Sequence, residues 1–455
     1  MAGLASLSRE EPIKLIGTLQ QQIDDLRKEN EELRRKVHRQ AAPFSKGKPV
    51  EHKKPPGRKA GQGPFVHRSA PLEPATETVV AVKPESCPDC GGELEQQGVE
   101  DATTTGLPVP RPVITRYQVP VCRCRQCGKT VRGTARGLAP DQFGATAHRV
   151  GAGVMAAAHT LHYAIGIPVR RVPAVLGELT GISLTQSAMT QDAMRRAAGP
   201  VGAAYQDLRQ QVGNAPVVHT DDTSWRVAGK PAQLMGFETG QATVYQIRDQ
   251  HRNEEVREII PADYKGVMVT DRGKSYDAEE LAGVTQQKCV AHLLRNIGKV
   301  LENKRGSARR FGMKLKGLLK DGLTLWHARG DLDKDEFKSR AEQLDQQMTD
   351  HLRNRSLEDD DNQKLLNGIG WHHGRGHILT FLEVEGVEPT NNRAERILRP
   401  AVIARKVSHG SKNQRGAEAF AAFASIVQTA RKLARQSISQ VLMGIFARPA
   451  QVPNR

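Results

Sequence analysis

The sequence contains few cysteines and no long hydrophobic run. No apolar stretch approaches the 18 residues that a membrane-spanning helix needs, and no signal-peptide pattern opens the chain. We therefore expect a cytoplasmic protein without a membrane partner. The six cysteines are too few for the disulfide scaffold of a 455-residue chain, and five of them fall between Cys87 and Cys127, which favours a metal site over disulfide bonds.

Positive charge is in clear excess. The chain carries 67 Lys and Arg against 50 Asp and Glu, a formal net charge of +17. Such an imbalance favours a polyanionic partner, of which nucleic acid is the commonest, and a membrane surface is the alternative. The length predicts several domains.

A heptad pattern occupies the first segment, residues 1–40. Its seam consists of Ile16, Ile23, Asn30 and Val37 at a positions and of Leu19, Leu26 and Leu33 at d positions. Ile or Val at a with Leu at d favours a parallel dimer, and a single Asn at a fixes the register. We predict a coiled coil that joins copies of this chain into a homodimer or higher oligomer; a solitary amphipathic helix is the alternative.

Residues 41–75 are rich in Pro, Gly and basic side chains and contain almost no core-forming residues. This composition predicts a disordered, cationic linker. Lys53, Lys54, Arg58 and Lys59 could contact DNA phosphates without a fold of their own. A solubilising tether is the alternative function.

Two CxxC-Gly segments lie in residues 76–138. They contain Cys87 and Cys90, and Cys124 and Cys127, with a β-rich stretch between them. Four thiolates at this spacing are typical of a closed, structural Cys₄ site, so we predict a zinc ribbon-like module with one structural Zn²⁺. Cys122 is an alternative ligand, although we expect it to be an ordinary buried thiol.

Residues 139–205 read as several helices. One helix is predicted to end near Leu179, Thr180 and Gly181 form a turn, and Ser183 or Thr185 caps the next helix. This arrangement resembles a helix-turn-helix and suggests a helical DNA-binding region. Many helix pairs turn on a glycine without binding DNA, so a structural role is the alternative.

From residue 206 the pattern changes to short apolar strands in the order β-β-β-α-β-α-β. This order matches the ribonuclease-H-like arrangement, a mixed sheet with helices on its faces. We divide the remainder into a first part of this core (206–298), a helical insertion (299–386), a second part of the core (387–416) and a helical tail (417–455). The fold class predicted for the whole chain is therefore multidomain α+β, with a ribonuclease-H-like α/β catalytic core.

Three acidic segments stand out in this core. Asp221 follows an apolar strand, Asp271 ends a second one, and Glu395 lies in a basic helix. Two Asp on strands with a distant Glu suit a pair of Mg²⁺ ions, with Mn²⁺ as the alternative metal. Asp222 is the neighbour of Asp221 and could replace it or support the site. A solvated turn or cap residue is the alternative reading of each acid.

Other residues could assist such a site. His292 ends a Cys-x-x-His segment that begins at Cys289, and we expect it to stand near the acids while Cys289 is packed. Around Glu395 the chain carries Arg393, Arg396, Arg399, Arg405 and Lys406. So many cations beside a carboxylate metal site suggest that a DNA backbone crosses it.

These segments resemble the insertion-sequence-66 family of transposases, a DDE-type group. The matching blocks are Asp221–Arg226 for the family's D-E-T-x-W-R, Asp271 to Tyr276 for its D-x-x-x-x-Y, Cys289–His292 for its C-x-A-H and Asn391–Pro400 for its N-N-x-A-E-R-x-x-R-P. The sequence departs from the pattern at Asp222, where Glu is usual, so the charge is retained. The similarity in order and motif extends over nearly the whole chain.

The resemblance implies that Asp221, Asp271 and Glu395 are the catalytic triad. It implies hydrolysis at the ends of a mobile element to expose a 3′-hydroxyl, followed by attack of that hydroxyl on target DNA. The expected partners are the terminal inverted repeats, target DNA, further copies of this chain and accessory proteins of the element. The expected location is the bacterial cytoplasm, on the nucleoid when the protein is bound to DNA.

Two other functions fit part of the sequence. A catalytically inactive DNA-binding regulator would be expected to lack at least one of the three acids, and all are present. A ribonuclease-H-like DNA nuclease or resolvase accounts for the triad but not for the heptads, the CxxC pairs and the helical region together.

Overall fold

The computed structural model describes residues 20–26, 77–82, 84–106, 110–135, 138, 150–302 and 304–447. The chain forms two compact units, Met1–Pro108 and Val109–Arg455. Residues 20–26 are helical and exposed, while the rest of the predicted coiled coil and the predicted linker lie outside the described residues. In the part of the chain that the structure describes, every helix is too short or too polar to span a membrane.

A five-stranded mixed sheet forms the centre of the second unit. Its strands are β3 (Val217–Val227), β4 (Lys230–Glu238), β5 (Thr243–Arg248), β6 (Val267–Thr270) and β7 (Thr285–Lys288), after a small antiparallel hairpin of β1 (Val121–Arg123) and β2 (Thr130–Arg132). The order across the sheet is β5-β4-β3-β6-β7. β3, β4 and β5 are antiparallel neighbours, whereas β6 and β7 run parallel to β3. The predicted mixed sheet is therefore confirmed.

Helices surround this sheet. They are α1 (Ala152–His159), α2 (Val172–Thr180), α3 (Gln186–Ala197), α4 (Pro200–Gly213), α5 (Asn253–Arg257), α6 (Val290–Leu301), α7 (Gly306–His327), α8 (Lys334–Leu352), α9 (Asp360–His373), α10 (Thr380–Glu383), α11 (Asn392–Ser408), α12 (Gln414–Leu433) and α13 (Ile438–Phe446). A π-helical turn, Thr160–Ala164, follows α1 directly. Short 3₁₀ segments occur at Lys274–Tyr276, Glu279–Leu281 and Ala328–Gly330.

The helices before the sheet share its core. Gly181 has a left-handed φ of 69° and ends α2, and the Thr185 hydroxyl caps α3 by accepting from the Ala188 amide at 3.1 Å. Val201 of α4 packs in one cluster with Met268 of β6. Because α4 spans residues 200–213, it crosses the predicted boundary at residue 205, and the helical region is continuous with the core rather than separate from it.

The predicted tail closes one edge of the sheet. The α12 hydroxyls of Ser425 and Thr429, one turn apart, accept hydrogen bonds from the β5 amides of Tyr245 (2.8 Å) and Thr243 (3.0 Å). These bonds satisfy edge-strand groups that would otherwise be open to another chain. The last part of the chain is therefore built into the core.

The predicted insertion is helical, as expected. Helices α7–α10 and α6 form a hydrophobic cluster of their own that includes Val267 and Val269 of β6. Since side chains alternate along a strand, these two valines lie on one face of the sheet, opposite Met268. By the same alternation, Asp271 points to the face of Val267 and Val269. The insertion therefore packs on the face to which Asp271 points.

Candidate active site

The parallel register of β3 and β6 places Asp221 and Asp271 at the same level. His219 is opposite Val269 in this register, and two residues further along each strand lie Asp221 and Asp271. Asp271 directly follows β6, as predicted. Asp221 instead lies within β3, because that strand continues past β6 to pair with β4, where Asp221 is opposite Gly236.

The start of α11 is fastened to the same place. Asn391 is fully buried, and its Nδ2 donates to the Thr220 carbonyl at 2.8 Å, one residue before Asp221. Its backbone amide donates to the Sγ of Cys289 at 3.2 Å. Glu395 lies in the first turn of this helix. The two hydrogen bonds of Asn391 therefore fix the start of the helix that carries the third acid.

Close packing holds α11 on the sheet. A Cβ at Gly236, the β4 partner of Asp221, would lie 2.9 Å from Cδ1 of Ile397 and 3.1 Å from Cδ2 of Leu398. A larger residue at this position would require these two side chains to shift. The glycine therefore allows close packing between the helix that carries Glu395 and the strand that carries Asp221.

The electrostatics show that the acids influence one another. Burial and the negative charges of Asp271, Asp222 and Glu395 together raise the pKa of Asp221 to about 7, although the hydrogen bond from the Asp222 amide opposes this. Repelling carboxylates in a partly buried position are stabilised by a cation. The chemistry of the donors, all of them carboxylate oxygens, fits Mg²⁺ or Mn²⁺.

Backbone amides orient the two aspartates. One oxygen of Asp221 accepts from the Asp222 amide at 2.9 Å, and one oxygen of Asp271 accepts from the Gly273 amide at 2.8 Å. Each carboxylate has a second oxygen that these amides do not contact. Within the described residues, however, no three His, Cys, Asp or Glu side chains are already grouped as a metal site, so cation binding requires some convergence of the acids.

Asp222 belongs to a different set of contacts. Its carboxylate lies 3.0 Å from Nδ1 of His251, and Nε2 of His251 lies 3.2 Å from the Ser275 hydroxyl. Because neighbouring residues of a strand point to opposite faces, Asp222 faces away from Asp221. His251 was not predicted from the sequence, because it lies in a loop and in no recognisable motif.

His292 lies beside Glu395, where a supporting residue was predicted. Its Nε2 is 3.9 Å from the Glu395 carboxylate. A hydrogen bond with Cys289 raises the pKa of His292, against the opposing effect of partial burial. Cys289 itself is buried, as expected.

A buried lysine that sequence reasoning missed supports the strand of Asp271. Lys288 of β7 is fully buried, and its Nζ contacts Asp277 at 2.7 Å, Gln286 at 2.8 Å and the Thr270 hydroxyl at 3.2 Å. Burial lowers the pKa of Lys288, while the contact with Asp277 opposes this. These contacts join β6, β7 and the loop after Asp271.

The predicted DNA-binding cations fall into three groups. Arg396, Arg399 and Lys406 are exposed on α11. Arg393 donates to Glu388 at 2.6 Å, and Arg405 donates to the hydroxyls of Thr223 (3.1 Å) and Ser224 (2.6 Å), so both are held by the protein itself. Lys53, Lys54, Arg58 and Lys59 lie outside the described residues.

Each CxxC segment forms a tight turn, and the two turns have the same hydrogen bonds. In the first unit, the Cys87 amide donates to Gly92 at 2.9 Å, and Gly91, with a φ of 73°, donates back to Cys87 at 2.8 Å. The backbone amides of Cys90 and Asp89 lower the pKa of the Cys87 thiol. Such a turn presents a thiolate that suits metal binding.

The turn in the second unit follows β1. The Cys124 amide donates to Lys129 at 2.8 Å, and Gly128, with a φ of 70°, donates to Cys124 at 2.9 Å. The backbone amides of Cys127 and Gln126 lower the pKa of the Cys124 thiol. Cys122 is exposed, so the expectation that it is a buried thiol is wrong; all residues of β1 and β2 are exposed, and the hairpin buries neither face.

Comparisons with known proteins identify the family. The family model described as "Transposase IS66 family" matches residues 148–419, well over half of the chain, and the model of the "zinc-finger binding domain of transposase IS66" matches residues 84–128. No curated protein matches. Similar solved structures include the dimeric and trimeric forms of the HTLV-2 integrase catalytic core domain in complex with magnesium.

Both are 12% identical to this chain, with a TM-score of 0.15. The match to the dimeric form covers 34% of this chain and 96% of the integrase chain, and the match to the trimeric form covers 33% and 95%. A TM-score this low carries no argument about the fold, and the assignment rests on the family models. The larger model spans both aspartates and Glu395, and the smaller one spans all four cysteines of the CxxC pairs. The chain therefore belongs to the IS66 family of transposases, as its motifs predicted.

Proposed function

We propose that Asp221, Asp271 and Glu395 form the catalytic triad of a ribonuclease-H-like DDE core that holds two Mg²⁺ ions, with Mn²⁺ as the alternative. One observation carries this proposal: the parallel register sets the two aspartates at one level, and Asn391 ties the helix of Glu395 to the residue before Asp221. When bound, the cations activate the attacking oxygen and stabilise the leaving oxygen.

The protein residues would first bind and orient the DNA. Exposed Arg396, Arg399 and Lys406 line the helix that carries Glu395, where they can hold phosphates without reading bases. His292 contacts the same carboxylate and limits its movement. The substrate would be the terminal inverted repeats of a mobile element, cut by water to expose a 3′-hydroxyl that then attacks target DNA.

Zinc has a separate, structural role in the proposal. Cys87, Cys90, Cys124 and Cys127 would bind one Zn²⁺, supported by their spacing, by the matching turns and by a family model that spans both pairs. The predicted coiled coil of residues 1–40 would join copies of the chain so that two DNA ends meet. Accessory proteins of the element remain expected partners, and the proposed location is the bacterial cytoplasm.

A strand-transfer assay tests the proposed activity. A DNA end with a free 3′-hydroxyl is incubated with target DNA and Mg²⁺; wild type should join them, whereas Asp271→Asn and Glu395→Gln should not. Glu342→Gln, at a site whose side chain is 69% exposed on α8, is the matched control and should join normally. Cleavage without joining would favour the nuclease or resolvase, and DNA binding without either reaction would favour the regulator.

A further inference from the structure

A large cleft opens beside the proposed active site. It has a volume of about 1330 Å³ and lies between the π-helical turn, α3, the second half of α11 and one side of α12. Residues on its walls include His162, Arg170, Gln191, Ile403, Lys412 and Arg431. None of the functional residues discussed so far accounts for this space.

The charge of the cleft has one sign. The residues that line the cleft all belong to the described part of the chain, and none of them is Asp or Glu. The chain as a whole has 50 acidic residues. Arg170 and Lys412 are exposed at its rim. A cavity with cations and no acids attracts a polyanion.

The walls also offer uncharged hydrogen-bonding groups. Thr190 and Gln191 of α3 face the cleft, and so do the capping residues of two helices, Thr185 of α3 and Asn413 of α12. The first turns of these helices add partial positive charge at the same wall. The π-helical turn that carries His162 is a rare conformation that often marks functional sites.

Two elements, β3 and α11, run from the cleft to the proposed active site. Trp225, at its floor, follows Asp221 by four residues on β3, which is about 13 Å along a strand. Ile403 follows Glu395 by eight residues on α11, which is about 12 Å along a helix. A DNA strand advances about 3.4 Å per nucleotide, so the cleft lies about four nucleotides from a phosphate held by the acids.

We propose that this cleft binds the DNA strand about four nucleotides from the phosphate that is cut. The acid-free walls and the rim cations hold the sugar-phosphate backbone, and the common elements β3 and α11 align this segment with the acids. This inference rests on the proposed function, since it takes the acids as the point of cleavage.

DNA binding by the full-length protein tests the inference without requiring cleavage. The probe is a labelled duplex with the terminal sequence of the element that encodes this chain, and affinity is measured by fluorescence anisotropy over a series of salt concentrations. Gln191→Glu and Lys412→Glu place acids in the cleft at exposed positions. Gln206→Glu and Lys320→Glu, exposed on α4 and α7, are the matched controls.

The cleft variants should each bind about tenfold more weakly, and Lys412→Glu should lower the slope of log affinity against log salt by about 1. Photo-cross-linking in the Asp271→Asn background should attach an iodinated base about four nucleotides from the cleavage site to the cleft. Unchanged affinity of both cleft variants, or cross-links only elsewhere, would overturn the inference. Failure of the proposed function would show differently, as joining activity retained by Asp271→Asn.

Discussion

Replacing Asp221 with Asn should stabilise the metal-free protein while it removes activity. The pKa of Asp221 is raised to about 7, chiefly by burial and then by Asp271, Asp222 and Glu395, whereas an unfolded Asp titrates near 4. Above pH 7 the folded protein must therefore hold an unfavourable charge. Asn cannot ionise, and it can still accept from the Asp222 amide.

The magnitude follows from linkage. Because the folded pKa lies above the unfolded one, stability falls as pH rises from about 4 to about 7 and stays low above that. A shift of about three pKa units corresponds to about 4 kcal/mol, and the partial exposure of Asp221 reduces this to about 2–4 kcal/mol at pH 8. At pH 5 the difference in stability between Asp221→Asn and wild type should be only about a third of its value at pH 8.

Urea denaturation without added divalent cations measures this difference. Wild type and Asp221→Asn are compared at pH 5 and pH 8, with Glu342→Gln as the control, since the Glu342 side chain is exposed on α8 and its charge does not affect the pKa of Asp221. Asp221→Asn should be more stable than wild type, and more so at pH 8. An equal or lower stability of Asp221→Asn at pH 8, or the same difference at both pH values, would show that the Asp221 charge does not destabilise the fold. Added Mg²⁺ should narrow the gap by stabilising wild type alone.

Three further predictions concern Asn391, Lys288 and the CxxC cysteines. Asn391→Ala should lower the free energy of unfolding by about 1–3 kcal/mol, because the Thr220 carbonyl loses a buried donor. The variant should also reduce kcat more than DNA affinity, and normal turnover would contradict the anchoring role of Asn391. Lys288→Met should cost about 3–5 kcal/mol in urea denaturation by leaving Asp277 without its cation, and adding Asp277→Asn should restore part of it; a neutral single variant would argue against a buried ion pair. Elemental analysis should find one Zn per chain in wild type and much less in Cys124→Ser, and zinc-free wild type would refute the Cys₄ proposal.

The sequence predicted the elements that have a local pattern. A short apolar run followed by Asp predicted β6, with Asp271 directly after it, and the order of the short apolar strands predicted the mixed sheet. The strand before Asp221 was also predicted, although it was predicted to end too early. That strand continues only because β4 folds back onto it, and a pairing partner is not visible in the strand's own residues.

Contacts between distant residues could not be predicted in the same way. Asn391 reaches Thr220 across 171 positions, and Lys288 is buried only because Asp277 and Thr270 fold around it. Nothing near these residues in sequence distinguishes them from exposed polar side chains. The role of α12 was hidden for a similar reason, since its Ser425 looks like any helical serine until β5 supplies the amide of Tyr245.

The central claim is that Asp271 binds a catalytic divalent cation, and a change of ligand tests it most directly. Asp271→Cys replaces a hard oxygen donor with a thiolate, which suits Mn²⁺ better than Mg²⁺. Strand joining is measured with each metal for wild type and variant. We expect the variant to be inactive with Mg²⁺ and to regain part of its joining activity with Mn²⁺, whereas full activity with Mg²⁺ would contradict metal binding by Asp271.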